Sequence, residues 1–263
     1  MKFEVGYSTF DETQNLKHPT SKYCNMRLSF EQDRLLAVMA HPDDAELLCA
    51  GTLARAKRDG SAIGIVVMCR GDKGAGSSFT GADLARVRQE EASAAAEVLG
   101  AKLFSFNAGD GELFDSYGVR KQLIELYRQF RPTLVIAHAA EDYHPDHRAA
   151  STIAEAATWF AASRGHVTES PALPSPPKLW LADTINATGG LEPDIYVDVS
   201  DQVELKKKML SCHRSQLDRG GDADFSPLSE LMLRQCQMRG AQAGVSAAEA
   251  FRWHHAFKRI GAF

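Results

Sequence analysis

From Leu35 onward the chain alternates short, β-rich apolar runs with stretches whose apolar residues recur at helical spacing. That alternation is the pattern of parallel strands joined by crossover helices, and it predicts an α/β fold built on a Rossmann-like, doubly wound, mostly parallel sheet. The first strand is expected over 35–40 (LLAVMA), followed by a helix from Asp44 to Asp59 that ends at Gly60, a residue suited to a helix C-terminus. A second strand covers 63–69. After the glycine-rich loop 70–81, an Ala- and Glu-rich helix runs over 83–99 and closes at Gly100. Strand 102–106, helix 116–130 stopped by Pro132, and strand 133–138 come next, and His144-Pro145-Asp146-His147 opens another helix. Four prolines between 171 and 177 mark 163–178 as an excursion from the core and a candidate lid. Farther on, 178–182 and 195–199 read as strands and 201–216 as a helix with a basic middle. No repeat or low-complexity tract divides the chain, so the expected organisation is an N-terminal extension, 1–33, and one domain, 34–263.

Composition narrows the classes. With 263 residues, 44% hydrophobic and 24% charged, the chain can bury one large core. The net charge of −4 is spread over interspersed residues, without the basic stripe that tracks a phosphate backbone, so nucleic acid is not an expected partner. The longest apolar runs, such as AIGIVVMC at 62–69, fall far short of the roughly 20 residues needed to cross a bilayer, so no membrane association is expected. The first thirty residues carry Asp11, Glu12, Lys17, His18 and Lys22 without a compact apolar stretch, unlike a secretory leader, and the expected location is cytoplasmic. Five scattered cysteines without a Cys-x-x-Cys pair read as reduced thiols. The loop RGDKGAGSSFTG is spaced G-x-G-x-x-x-x-G. It fits neither the dinucleotide fingerprint nor a phosphate loop, which argues against an oxidoreductase on this architecture and leaves the loop as a pocket rim.

The chemistry sits in two segments. Ala40-His41-Pro42-Asp43-Asp44-Ala45-Glu46 begins where the first strand ends, and Tyr143-His144-Pro145-Asp146-His147 follows the fourth strand by a short loop. Both therefore emerge at the carboxyl edge of the sheet, where open parallel sheets bind ligands; in a 3-2-1-4 order the two strands are neighbours at the switch point. Imidazole and carboxylate donors converging there suit a borderline divalent ion such as zinc, with Fe²⁺ the alternative. Adjacent Asp43 and Asp44 cannot readily point at one spot, so one can ligate while the other faces the reacting atoms. His144 and His147 share a helix face, so one can ligate while its neighbour stays free. Asp146 is placed to hold an imidazole from behind. Read only structurally, the same segments are helix N-caps.

The pair AHPDDAE and HPDH resembles the LmbE/PIG-L family of zinc-dependent deacetylases, and the resemblance extends over about 34–253 through RQEEASAAAEVLGA (88–101), Asp110-Gly111, PDIYVDVSDQVELKKKMLSCHRSQ (193–216) and GAQAGVSAAEAF (240–251). It implies removal of an acetyl group from an N-acetylated amino sugar or sugar conjugate. By that resemblance His41, Asp44 and His147 are the metal ligands and Asp43 is the general base. His144, paired with Asp146, stabilises the oxyanion or protonates the leaving amine. Arg88, which with Glu91 matches the family's Arg-x-x-Glu, contacts a substrate hydroxyl, and a homo-oligomer is implied; read only structurally, Arg88 and Glu91 are a helix pair one turn apart. Asp110, at the end of the third strand, is placed to bond sugar hydroxyls or to serve as a turn residue. The chain departs from some members at position 142, where Asp142 replaces a carbonyl-polarising tyrosine; Tyr143 lies one position away. A metal-dependent amidase on another N-acyl molecule and a non-catalytic metal- or carbohydrate-binding protein are the competing readings.

Overall fold

The computed structural model describes residues 29–74, 81–185, 190–217 and 227–256. Seven strands form one sheet in the order β3-β2-β1-β4-β5-β7-β6. They are β1 (Arg34–Met39), β2 (Ala62–Cys69), β3 (Lys102–Ala108), β4 (Leu134–Ala137), β5 (Lys178–Ala182), β6 (Ile195–Asp198) and β7 (Ala248–Trp253). The five strands from β3 to β5 pair in parallel, whereas β7 runs antiparallel to both β5 and β6. The doubly wound α/β expectation, including the 3-2-1-4 order, is what the chain adopts.

The apolar run of β1 follows from burial on both faces, since side chains alternate across a strand. Leu35, Ala37 and Met39 enter one core, together with residues of α1 (Asp44–Leu48), α2 (Ala50–Arg58), α3 (Gly81–Leu99), α6 (Val203–Leu210) and α8 (Leu228–Ala243). Leu36 and Val38 enter the other, against α4 (Tyr117–Phe130) and α5 (Pro145–Phe160). Phe30, from the segment read as an extension, is fully buried in the first core; residues 1–28 lie outside those described.

Two helices expected to be continuous are broken. The 44–59 helix divides at Cys49, whose φ of −145° and ψ of 3° leave helical space. The break exposes orphan amides at the start of α2 and carbonyls at the end of α1. Glu249 of β7 accepts from Gly51 and Thr52 N–H at 2.9 and 2.7 Å, and Lys206 of α6 donates to the Leu47 carbonyl at 2.9 Å while pairing with Glu249. A buried ion pair from distant chain segments thus substitutes for the missing helical bonds. The 201–216 helix likewise resolves into a 3-10 turn (Ser200–Gln202), α6 and a short α7 (Arg214–Leu217).

The excursion 163–178 is not a lid. Arg128 of α4, itself buried, donates to the carbonyls of Phe160, Ala161, Ser163 and Ser170 and to Thr168 Oγ1, and Glu125 accepts from both Ser170 N–H and Ser170 Oγ. The prolines deny the segment a ladder of its own, so the guanidinium satisfies its carbonyls. Arg128→Ala should cost about 1–2 kcal/mol of stability and open the segment to protease, checked by denaturant unfolding and limited proteolysis. Unchanged protease resistance would contradict the pinning role. No helix among the described residues is long and apolar enough to cross a membrane.

Candidate active site

His41, Asp43 and Asp44 leave the carboxyl end of β1, and His144 and His147 leave that of its neighbour β4, so the two segments meet at the switch point. The first turns sharply. Asp43 adopts φ 105° and ψ −21°, a left-handed conformation that costs a non-glycine residue of order 1–3 kcal/mol and recurs at functional sites. The turn sends the adjacent carboxylates different ways. Asp44 Oδ2 accepts from His41 N–H at 2.7 Å, whereas Asp43 lies 3.3 Å from the Arg88 guanidinium and makes no capping bond to α1. A plain helix cap therefore does not describe Asp43.

Three atoms from the two segments form a nearly equilateral triangle. His41 Nδ1 to His147 Nε2 is 3.3 Å, His147 Nε2 to Asp44 Oδ2 is 3.4 Å, and His41 Nδ1 to Asp44 Oδ2 is 3.5 Å. Zinc bonds of 2.0–2.2 Å at tetrahedral angles place ligand atoms about 3.3–3.6 Å apart. The donor chemistry and spacing of these residues fit a divalent ion. Electrostatics agree. Burial works against a charged His147, yet Asp44 and Asp142 outweigh it and push the imidazole up to about 9, so the site favours positive charge.

Each imidazole of the triangle has a carboxylate behind it. His147 Nδ1 lies 3.0 Å from Asp142 Oδ1, which also accepts from His144 N–H, and His41 Nε2 lies 3.0 Å from Asp146 Oδ2. Asp146 is held in turn by Gly111 and Leu113 N–H. The structure thus corrects one expectation, because the Asp146 carboxylate serves His41 and not His144. Its backbone explains why: Asp146 N–H donates to His144 Nδ1, making His144 the cap of α5 while the carboxylate turns away. With Nδ1 accepting and the imidazole kept neutral by burial and by His41 and His147, the proton of His144 resides on Nε2. Tyr143 is 56% exposed, with its ring edge-on to those of His144 and His147.

Among the remaining expected contacts, Arg88 is buried against Asp43 and the Pro42 carbonyl, and its Nε has no hydrogen-bond partner among the described residues. Glu91 is not its helix partner; it accepts from Ser215 N–H and Oγ at the start of α7. Asp110 lies 3.9 Å from Arg88 and accepts from Gly71 and Lys73 N–H, fixing the rim loop. Burial, partly offset by Arg88, raises the Asp43 carboxyl to about 6.

Sequence reasoning missed His138, immediately beyond β4. It is fully buried, stacks on His147 at 3.9 Å and accepts from Ala40 N–H; its Nε2 is 3.2 Å from Asp44 Oδ2. A histidine closing an apolar strand at the ligand-binding edge was the available signal. His213 was also missed. It is buried 3.5 Å from Glu46, and no periodicity announces it. The cavity over these groups measures about 400 Å³ and is walled by Lys73, Arg88, Asp110, Tyr143 and His144 on its polar side and by Leu47, Ile185 and Leu228 on its apolar side. No described lining residue comes from 163–178.

Comparison with known proteins agrees with this geometry. The sequence model of the family described as "PIG-L: GlcNAc-PI de-N-acetylase" matches residues 36–158. Among curated relatives, the 4-oxalmesaconate hydratase of Pseudomonas putida is 27% identical over 219 residues, covering 81% of each chain. The N,N'-diacetylchitobiose deacetylase from Pyrococcus horikoshii, solved with an inhibitor, is 27% identical with a TM-score of 0.77, the match covering 88% of this chain and 87% of that one. The conserved protein TT1542 from Thermus thermophilus is 30% identical with a TM-score of 0.71, over 87% of this chain and 97% of its own. With that likeness along nearly the full length of a solved structure, and the family match spanning both His/Asp segments, the chain belongs to the PIG-L (LmbE) family.

Proposed function

We propose that this chain is a metal-dependent hydrolase that removes the acetyl group from an N-acetylated amino sugar or sugar conjugate. The observation that carries the reading is the His41–Asp44–His147 triangle, with the raised Asp43 carboxyl on the adjacent residue, under a pocket of small-molecule size. In this reading His41, Asp44 and His147 hold the metal, taken as Zn²⁺ with Fe²⁺ the alternative. The ion supplies Lewis acidity, which acidifies water and polarises an acyl oxygen.

The protein's groups supply the rest. Asp43, raised toward neutrality by burial, takes a proton from the attacking water and returns it to the leaving nitrogen as the C–N bond breaks. Neutral His144 donates its Nε2–H to the oxygen that gains charge in the tetrahedral intermediate. Asp146 and Asp142 act as positioning residues, keeping His41 and His147 in their orientations. Arg88 holds Asp43 in place, and Arg88 and Asp110 form the pocket wall that sugar hydroxyls would meet.

The hydratase relative supports a second reading, addition of activated water to an unsaturated oxo-acid. The lining carboxylates Asp43, Asp44 and Asp110 oppose a polycarboxylate more than a neutral amide, which favours the deacetylation reading. The test is acetate release from N-acetylglucosamine-type substrates beside loss of alkene absorbance from 4-oxalmesaconate. Acetate should appear, stop with a chelator and return with Zn²⁺. Alkene loss without acetate would replace the proposal with the hydratase.

A further inference from the structure

His41 presents its two ring nitrogens to two different donor sets. Nδ1 belongs to the triangle with Asp44 and His147. Nε2, on the opposite edge of the ring, lies 3.0 Å from Asp146 Oδ2, and His41, Cys69 and Asp146 each offer one ligand atom, all within 4.8 Å of one another. Cys69 is the last residue of β2. Its N–H donates to the Ala40 carbonyl at 2.8 Å, so the end of β2 is tied to the end of β1 beside His41. Cys69 and Asp146 are each 1% exposed. Gly111 and Leu113 N–H fix the Asp146 carboxylate, which with about four lone-pair sites retains capacity for a further partner.

A thiol, an imidazole and a carboxylate converging in a buried space form a donor set for a soft or borderline divalent ion, in contrast to the oxygen- and nitrogen-only first triangle. We propose that this chain carries a second metal site made of His41 Nε2, Cys69 Sγ and Asp146, filled by zinc or cadmium in excess and sharing His41 with the first. On filling, Sγ and Nε2 bond to the ion, and the thiol proton and the Nε2 proton pass to buffer. His41 then bridges the two ions as an imidazolate. The proposal rests on the first ion lying at His41, Asp44 and His147.

The test is titration of the full-length protein, preloaded with one equivalent of zinc, by cadmium ion. Thiolate-to-cadmium charge-transfer absorption is followed, and bound metal is counted after desalting. The wild-type protein should reach two ions, the second arriving with the absorption band. Cys69→Ser should stop at one ion and lack that band, and Cys69→Ala serves as a second variant should the serine protein fold poorly. The remaining cysteines contribute equally to both proteins, so the difference spectrum isolates Cys69. Equal bands and stoichiometry in wild type and variant would overturn the proposal, as would a wild-type protein that stops at one ion. Failure of either protein to bind any metal would overturn the first site along with the second.

Discussion

Asp43→Asn is expected to lower kcat/KM for deacetylation by about 10²–10⁴-fold while leaving one metal ion bound per chain. Asparagine preserves shape and, more than most residues, tolerates the left-handed backbone seen at φ 105°. What the substitution removes is the proton acceptor, along with the charge facing Arg88. Because Asp44 and not Asp43 stands in the ligand triangle, metal content measured by elemental analysis should stay near one equivalent. A variant that held its metal and hydrolysed at a near-normal rate would show that another group moves the proton. A variant that lost its metal would show that the two adjacent carboxylates had been given each other's roles.

The same pair shows how far sequence carries. Six of the seven strands and the order of the first four were legible because a strand buried on both faces reads as a continuous apolar run, as in 35–40, and because crossover helices leave glycine and proline at their ends. The meeting of residues 41–44 with 144–147 followed from that order, since both segments leave neighbouring strands at one edge. What was not legible depends on contacts between distant residues. The helix break at Cys49 is made tolerable by Lys206 and Glu249, about 157 and 200 positions farther along the chain. β7 escaped because Glu249, its second residue, is buried and capping a helix, which spoils the alternation of an ordinary strand. The excursion looked like a lid because prolines and exposure resemble a flexible loop, and only the hydrogen bonds of Arg128 reveal that it is fastened to α4. Asp146 was read with the wrong partner for a local reason. Two residues apart at a helix start, it and His144 are close, but the bond between them uses the backbone amide and frees the carboxylate for His41.

That reassignment leads to an expected result that separates metal holding from catalysis. Asp142→Asn and Asp146→Asn should each weaken metal binding about 10–100-fold, measured by competition with a chelator of known affinity. Asp142 keeps His147 oriented through Nδ1, and Asp146 does the same for His41 through Nε2, so loss of either charge frees an imidazole to turn away from the ion. Asp142, one position before Tyr143, is buried, lies 3.0 Å from His147 Nδ1 and accepts from His144 N–H, so it is placed to orient that imidazole. If Asp146 instead acted on His144, Asp146→Asn would lower kcat at saturating metal and leave metal affinity unchanged. Unfolding temperatures of the metal-free proteins distinguish positioning from general collapse: a positioning role leaves them near wild type while the chelator competition shifts. Wild-type metal affinity in both variants would remove the carboxylates from the metal site altogether and return Asp146 to the partner that proximity in sequence had suggested.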